Sequence, residues 1–419
     1  MSAPSAALRR RTYLICLAGW LFDFYDLMLF AYVAAAVAAD FHWGADAARY
    51  KALAVGLALG TSGLGGIAFG GLADKYGRKA VMTWTILLYS VGTGLCGLSW
   101  GLTSLLAFRA LTGLGVGGEW ATGHALMAEI YPKEERGRAS ALLQAGEPLG
   151  VALAVVMGLW VCPRIGWRAV FLLSALPAFT ALLVRRHMAE SPLWLQRRDA
   201  PARPFLAPYR ELWRGHRGRA AQAWALGTAK LATYWLTYVW LPEYFAELLA
   251  RARAAGRPVP AGFSDIRLKF ILVAQAAQFL GMMAFGAAAD RFGRRPAFCA
   301  YSLLTAAGLW AMAAHGDALL THPELFWPAL GAVGLGSGCT AGFGALLAEL
   351  FPTSVRNTAM GTVYNLSRGA QFFTQAAMGA LAAGVGVAHG LWLAFAFAIF
   401  TATWIWTFPE TRGVTLADA

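Results

Sequence analysis

Gly70-Gly71-Leu72-Ala73-Asp74-Lys75-Tyr76-Gly77-Arg78-Lys79 decides the fold, because it returns as Gly286-Ala287-Ala288-Ala289-Asp290-Arg291-Phe292-Gly293-Arg294-Arg295. Each copy ends one long apolar segment and opens the next. A second pair follows at nearly the same offset: Ala128-Glu129-Ile130-Tyr131-Pro132 with Arg136, then Ala348-Glu349-Leu350-Phe351-Pro352 with Arg356. Two duplicated motifs mean a duplicated helical bundle. Duplicated halves with a site between them at the bilayer midplane are the architecture of membrane transporters.

Composition agrees. Charged residues are 14% of the chain and hydrophobic residues 58%, whereas a soluble chain carries about 25% charged residues. The apolar segments run to about 20–28 residues, enough to cross a bilayer. The net charge of +13 does not indicate nucleic acid, since the Lys and Arg residues gather in short loops on one side, as the positive-inside rule requires. Cys16, Cys96, Cys162, Cys299 and Cys339 have neither metal-ligand spacing nor a disulfide pattern. Arg9-Arg10-Arg11 before an apolar run resembles a secretory signal, but the run is too long and contains Asp23 and Asp26. It reads as the first spanning helix.

Twelve helices are expected, near 13–39, 49–73, 80–100, 102–131, 138–162, 168–184, 220–248, 267–289, 296–314, 325–350, 357–384 and 388–408. The fold class is therefore all-α and polytopic, with two pseudo-symmetric six-helix bundles at 1–184 and 220–419. A basic linker, 185–219, joins them. Arg9 to Arg11, Lys75, Arg78, Lys79, Lys133, Arg136, Arg291, Arg294, Arg295, Arg356 and the linker assign one side, with both termini, to the cytoplasm. The opposite side keeps Arg49, Lys51, Arg164, Arg168 and a group from Arg251 to Lys269. The linker's arginines, with Trp194 and Trp213, suit an anionic lipid surface.

The doubled Gly-x-x-x-Asp-Arg/Lys-x-Gly-Arg-Arg/Lys loop resembles the signature of the major facilitator superfamily, over essentially the whole chain. Pro409-Glu410-Thr411-Arg412-Gly413 is similar to the tail motif of sugar porters. Arg109 to Trp120 resembles the fourth helix of bacterial metabolite–proton and sialate/lactate–proton symporters. Gly70 and Gly71 suit close helix approach, and Asp74 suits a cap on the next helix. The resemblance implies a gating charge network of Asp74, Arg78, Glu129 and Arg136, repeated by Asp290, Arg294, Glu349 and Arg356. Plain topology anchoring is the alternative.

Ionisable residues inside spans are costly and mark function. Asp26 lies about 22 Å along its helix from Arg11. Arg109 enters from the opposite face, about 10 Å in, at similar depth. By the resemblance, Asp26 accepts the coupling proton and Arg109 tunes it; a static buried ion pair is the alternative. Asp23, one turn earlier, shares or replaces that role, and Glu119 is a second proton site or a packed glutamate. Glu147, Lys230 and Arg368 reach about 13–16 Å in from the cytoplasmic side, where superfamily substrates bind. Two cations from the second half favour an anion, and a guanidinium grips a carboxylate with two parallel bonds. Gln144, Asn365, Gln371 and Gln275 add amide hydrogen bonds, and Tyr25 and Tyr364 are candidate cavity walls.

These residues, with the proton coupling that the resemblance implies, lead to the expectation of a secondary transporter carrying a small organic anion, a monocarboxylate, by proton symport. No cofactor or metal is expected beyond the proton, and the partners are the anion, membrane lipids and no nucleic acid, in a monomer. The rivals are a sugar or polyol porter and a non-transporting nutrient sensor. No nucleophile–base constellation suggests an enzyme.

Overall fold

The computed structural model describes residues 6–131, 142–191, 194–195, 206–256, 263–352 and 355–412. Every expected segment carries helix: α1 Ala6–Asp40, α2 Ala47–Tyr76, α3 Arg78–Cys96 and α4 Leu102–Ile130. Then α5 runs Gly146–Val156 and continues through a π turn, Met157–Val161, into Cys162–Ile165, and α6 is split into Trp167–Leu173 and Ala178–His187. In the second half lie α7 Ala207–Ala254, α8 Phe263–Phe292, α9 Arg294–Thr321, α10 Phe326–Leu350, α11 Arg356–Gly384 and α12 Val387–Trp404. Seven spans among the described residues are long and apolar enough to cross a membrane by length and composition alone. The others are interrupted or polar, which is how transporter helices that build a site depart from the simple pattern.

Two interruptions flank the centre of the second half. Helix α10 tightens into a 3-10 stretch at Gly338–Gly342, and α11 breaks after Gly369. Helix α7 begins at Ala207, well before the expected 220, and bends at His216 (φ −133°, ψ 16°). Residues 207–219 of the expected linker are thus a helical extension of a span, with Leu212 buried and Trp213 exposed.

The duplication is visible in the backbone. Gly77, Gly166, Gly293 and Gly386 open α3, α6, α9 and α12 with φ between 84° and 101°, a region that disfavours any side chain. At three of them a carboxylate presses on the glycine and caps the new helix. Glu190 accepts from the amides of Arg78 and Lys79, Glu410 from those of Arg294 and Arg295, and Glu247 from that of Val387. A Cβ on Gly293 would meet Glu410 at 2.8 Å. These glutamates satisfy orphan N–H groups at the positive end of each helix. The cap on α3 therefore comes from beyond α6; the Asp74 side chain lies outside the described residues. Gly70 is not at a close approach either, since nothing stands within 4 Å of its Cβ position. Backbones meet instead where α2 crosses α11: a Cβ on Gly63 would lie 2.8 Å from the Asn365 carbonyl and from the Gly369 Cα.

Candidate substrate and proton site

Four charged side chains from α1, α4 and α11 sit at the centre without solvent contact: Asp23, Asp26, Arg109 and Arg368. Their pairing differs from the sequence expectation. Arg109 does not bond the Asp26 carboxylate. Its Nη1 donates to the Asp26 carbonyl at 3.0 Å and its Nη2 to the Leu27 carbonyl at 3.3 Å, with the guanidinium over the Phe30 ring. Both Asp26 carboxylate oxygens are buried and accept no hydrogen bond.

The ion pair is made one turn away. Arg368 Nη2 donates to Asp23 Oδ2 at 3.2 Å, joining α11 to α1 across the two halves. The Arg368 guanidinium lies 5.9 Å from the Trp20 ring centre and 5.6 Å from that of Phe24. Arg368 Nε and Nη1, Asp23 Oδ1 and Trp20 Nε1 are all buried with no partner. Unmet donors of this kind beside a planar cation are the chemistry of a carboxylate subsite. Trp20 and Phe24 were not legible as wall residues, because a single aromatic on an apolar helix more often packs.

Glu147 bridges the halves a second time, accepting from Gln144 Nε2 and from Gln278 Nε2 of α8, both at 2.8 Å. Buried Lys230 is within electrostatic reach of it. Gln275 is buried with both amide atoms unpartnered. Glu119 is 2% exposed with both oxygens unpartnered, pressed against Gly19 of α1.

Three expected cavity residues hydrogen-bond to protein groups. Gln371 donates to the carbonyls of Thr228 and Ser367 and accepts from Thr374. Tyr25 shares a 2.5 Å hydrogen bond with Ser174 inside the first half. Asn365 donates to the Gly361 carbonyl in its own helix, although its Oδ1 is unpartnered. Tyr364 stacks on Trp120 of α4, ring centres 3.9 Å apart. This closes the site towards the end bearing the basic loops, where Trp120, His124, Gln144, Thr340, Phe343 and Tyr364 line a narrow crevice.

Of the two loop networks, the second is described. Arg294 grips Glu349 through Nε (3.3 Å) and Nη2 (3.0 Å) and bonds Asp290 through Nη1 (2.5 Å), while Thr411 donates to Glu349. Arg356 donates to the carbonyls of Ala348 and Phe351. In the first, Arg78 Nη1 donates to the Ala73 carbonyl; Arg136 and the side chains of Asp74 and Glu129 lie outside the described residues.

A duplicated bundle with buried charges between its halves defines a membrane transporter. The chain belongs to the Major Facilitator Superfamily, whose sequence profile matches residues 15–256 and 260–418, and it is accordingly a multi-pass membrane protein and not an enzyme. It is similar to the "Probable 4-methylmuconolactone transporter" of Cupriavidus pinatubonensis, 31% identical over 98% of this chain and 92% of that one. It is similar also to the cis,cis-muconate transport protein of Acinetobacter baylyi, 27% identical over 88% and 87%. Its fold is that of the Escherichia coli xylose transporter in a partially occluded inward-open conformation, with a TM-score of 0.76 at 18% identity, covering 98% of this chain and all of the other.

Proposed function

We propose that the protein carries a small organic anion, a monocarboxylate, across the cytoplasmic membrane by proton symport, with its basic end in the cytoplasm and Arg368 as the carboxylate ligand. The observation that carries this is the buried Asp23–Arg368 pair across the two halves. An isolated cation here would be prohibitively costly, so Asp23 neutralises Arg368 while the site holds no anion. Protonating Asp23 removes its charge and frees Arg368; the substrate carboxylate then takes its place. One proton and one monocarboxylate enter together, and the net charge of the site is unchanged. Neither enters favourably alone, which is the condition for coupling. Asp26 and Glu119, buried close by without hydrogen-bond partners, are the further carboxyl groups able to take a proton, and Lys230 adds positive potential from α7. The transporters named for muconate and 4-methylmuconolactone support an organic-acid cargo.

The test is proteoliposomes with an internal pH dye, given lactate, pyruvate, acetate, benzoate, cis,cis-muconate, sialate and xylose in turn. Internal acidification by a carboxylate, beyond the leak in protein-free vesicles, is expected, with no response to xylose. Acidification by xylose alone would replace this reading with the sugar porter.

A further inference from the structure

Away from that site, the halves are tied at the opposite end by a second buried ion pair. Lys51 stands near the start of α2, on the side opposite the basic loops, and is 2% exposed. Its Nζ donates to Glu243 Oε2 at 2.5 Å and to the Val239 carbonyl at 2.7 Å, both on α7, and lies 5.0 Å from the Trp240 ring centre. An ammonium has three donors and no acceptor, and here a carboxylate, a carbonyl and an aromatic face surround it. Two further bonds stand beside it, the first inside the second half and the second across the halves. Trp240 Nε1 donates to Gln375 Oε1 of α11 at 2.9 Å, and the Tyr32 hydroxyl of α1 donates to the Tyr238 carbonyl at 3.2 Å.

Lys51 and Glu243 come from different halves. Along α7, Glu243 is about 20 Å from Lys230, so the pair is no part of the substrate site. Glu243 is 27% exposed, which sets the pair at the edge of the interface between the halves. Rocking one half against the other to admit substrate at this end must separate α2 from α7, and so must break the pair in every cycle.

We propose that Lys51 and Glu243 form the outer gate, a latch that holds the extracellular end shut and sets the balance between outward-open and inward-open states. A partner-deprived buried charge is strongly unfavourable in the closed interface and hydrated in the open one. Removing either partner therefore favours the outward-open state. The proposal depends on alternating access and not on the identity of the cargo, so it stands or falls separately from the anion–proton reading.

Hydrogen–deuterium exchange on the full chain in lipid nanodiscs, without substrate, tests it. The variants are Lys51→Met, Glu243→Gln and the charge-reversed double Lys51→Glu/Glu243→Lys. Each single change is expected to shift the balance outward by about tenfold, within the usual range of coupling. Uptake then rises in 47–60, 239–254 and 371–384 and falls at the opposite ends of α4 and α10. The double variant returns both regions towards wild type. A rise confined to the outer segments, or present at both ends, would mean a static brace and overturn the gate. So would a double variant no better than either single one. If Lys51→Met fails to fold, Glu243→Gln, which keeps size and polarity, gives the same contrast.

Discussion

Two arginines are equally buried at the heart of this transporter, and they are held in different ways. Arg109 is bound by main-chain carbonyls of α1, inside its own half. Arg368 is bound by the Asp23 carboxylate, across the halves, with two nitrogens to spare. A carbonyl cannot be protonated at physiological pH, so nothing in the cycle releases Arg109. A carboxylate can be, so Arg368 is a releasable cation. On the proposed function, the contrast makes Arg109 part of the framework of the α1–α4 contact and Arg368 the residue that exchanges ligands.

The largest effect is expected at Arg368. Arg368→Ala removes one partner of a buried charged pair, worth about 2–5 kcal/mol, or roughly 30- to 4,000-fold in substrate affinity. Isothermal titration with the best-transported acid reads it; unchanged affinity would end its role as ligand. Next is Asp23→Asn, expected to retain substrate exchange across proteoliposomes while losing pH-driven uphill uptake, with Asp26→Asn the milder of the two. The opposite ranking would return the coupling role to Asp26. Arg109→Gln is expected to act on stability, by about 1–3 kcal/mol for each carbonyl left unsatisfied, with affinity changed less than by Arg368→Ala. Thermal unfolding beside titration separates these.

The smallest effect lies outside the spans, at Glu410. Partial burial raises its carboxyl, but hydrogen bonds from the amides of Arg294, Arg295, Arg412 and Thr411 outweigh that and hold it below its ordinary 4.5. A carboxyl depressed on folding stabilises above its unfolded value and loses that contribution as pH falls through its folded value. Glu410→Gln should therefore lower the melting temperature at pH 7, and the gap to wild type should close on acidification below about pH 4. A gap that persists in acid would point to packing instead of charge.

The duplication, the helical spans and the buried charges were legible in the sequence, because hydropathy and the cost of a charge in lipid are properties of single segments. Partner choice was not. Asp23 and Asp26 are one turn apart on α1, and depth along a helix cannot say which faces α4 and which faces α11. Rotation about the helix axis decides that, and packing at Gly63 and its neighbours sets where α2 and α11 lie. Depth also could not show that Gln371 and Tyr25 bond to neighbouring helices, through the Thr228 carbonyl and the Ser174 hydroxyl. The Lys51–Glu243 pair was not legible because a lysine near a span's end usually snorkels to water, and only tertiary structure brings Glu243 to it. The Glu190 cap was missed because the loop motif itself offers Asp74 at a plausible spacing.

The central claim is that a proton on Asp23 and an anion on Arg368 exchange for one ion pair. Proton uptake on substrate binding tests it most directly, measured with a pH dye on detergent-purified protein in weak buffer, for wild type and Asp23→Asn side by side. The account predicts about one proton taken up per bound anion in the wild type and none in Asp23→Asn, which still binds. Binding without proton uptake in the wild type, or undiminished uptake in Asp23→Asn, would contradict it.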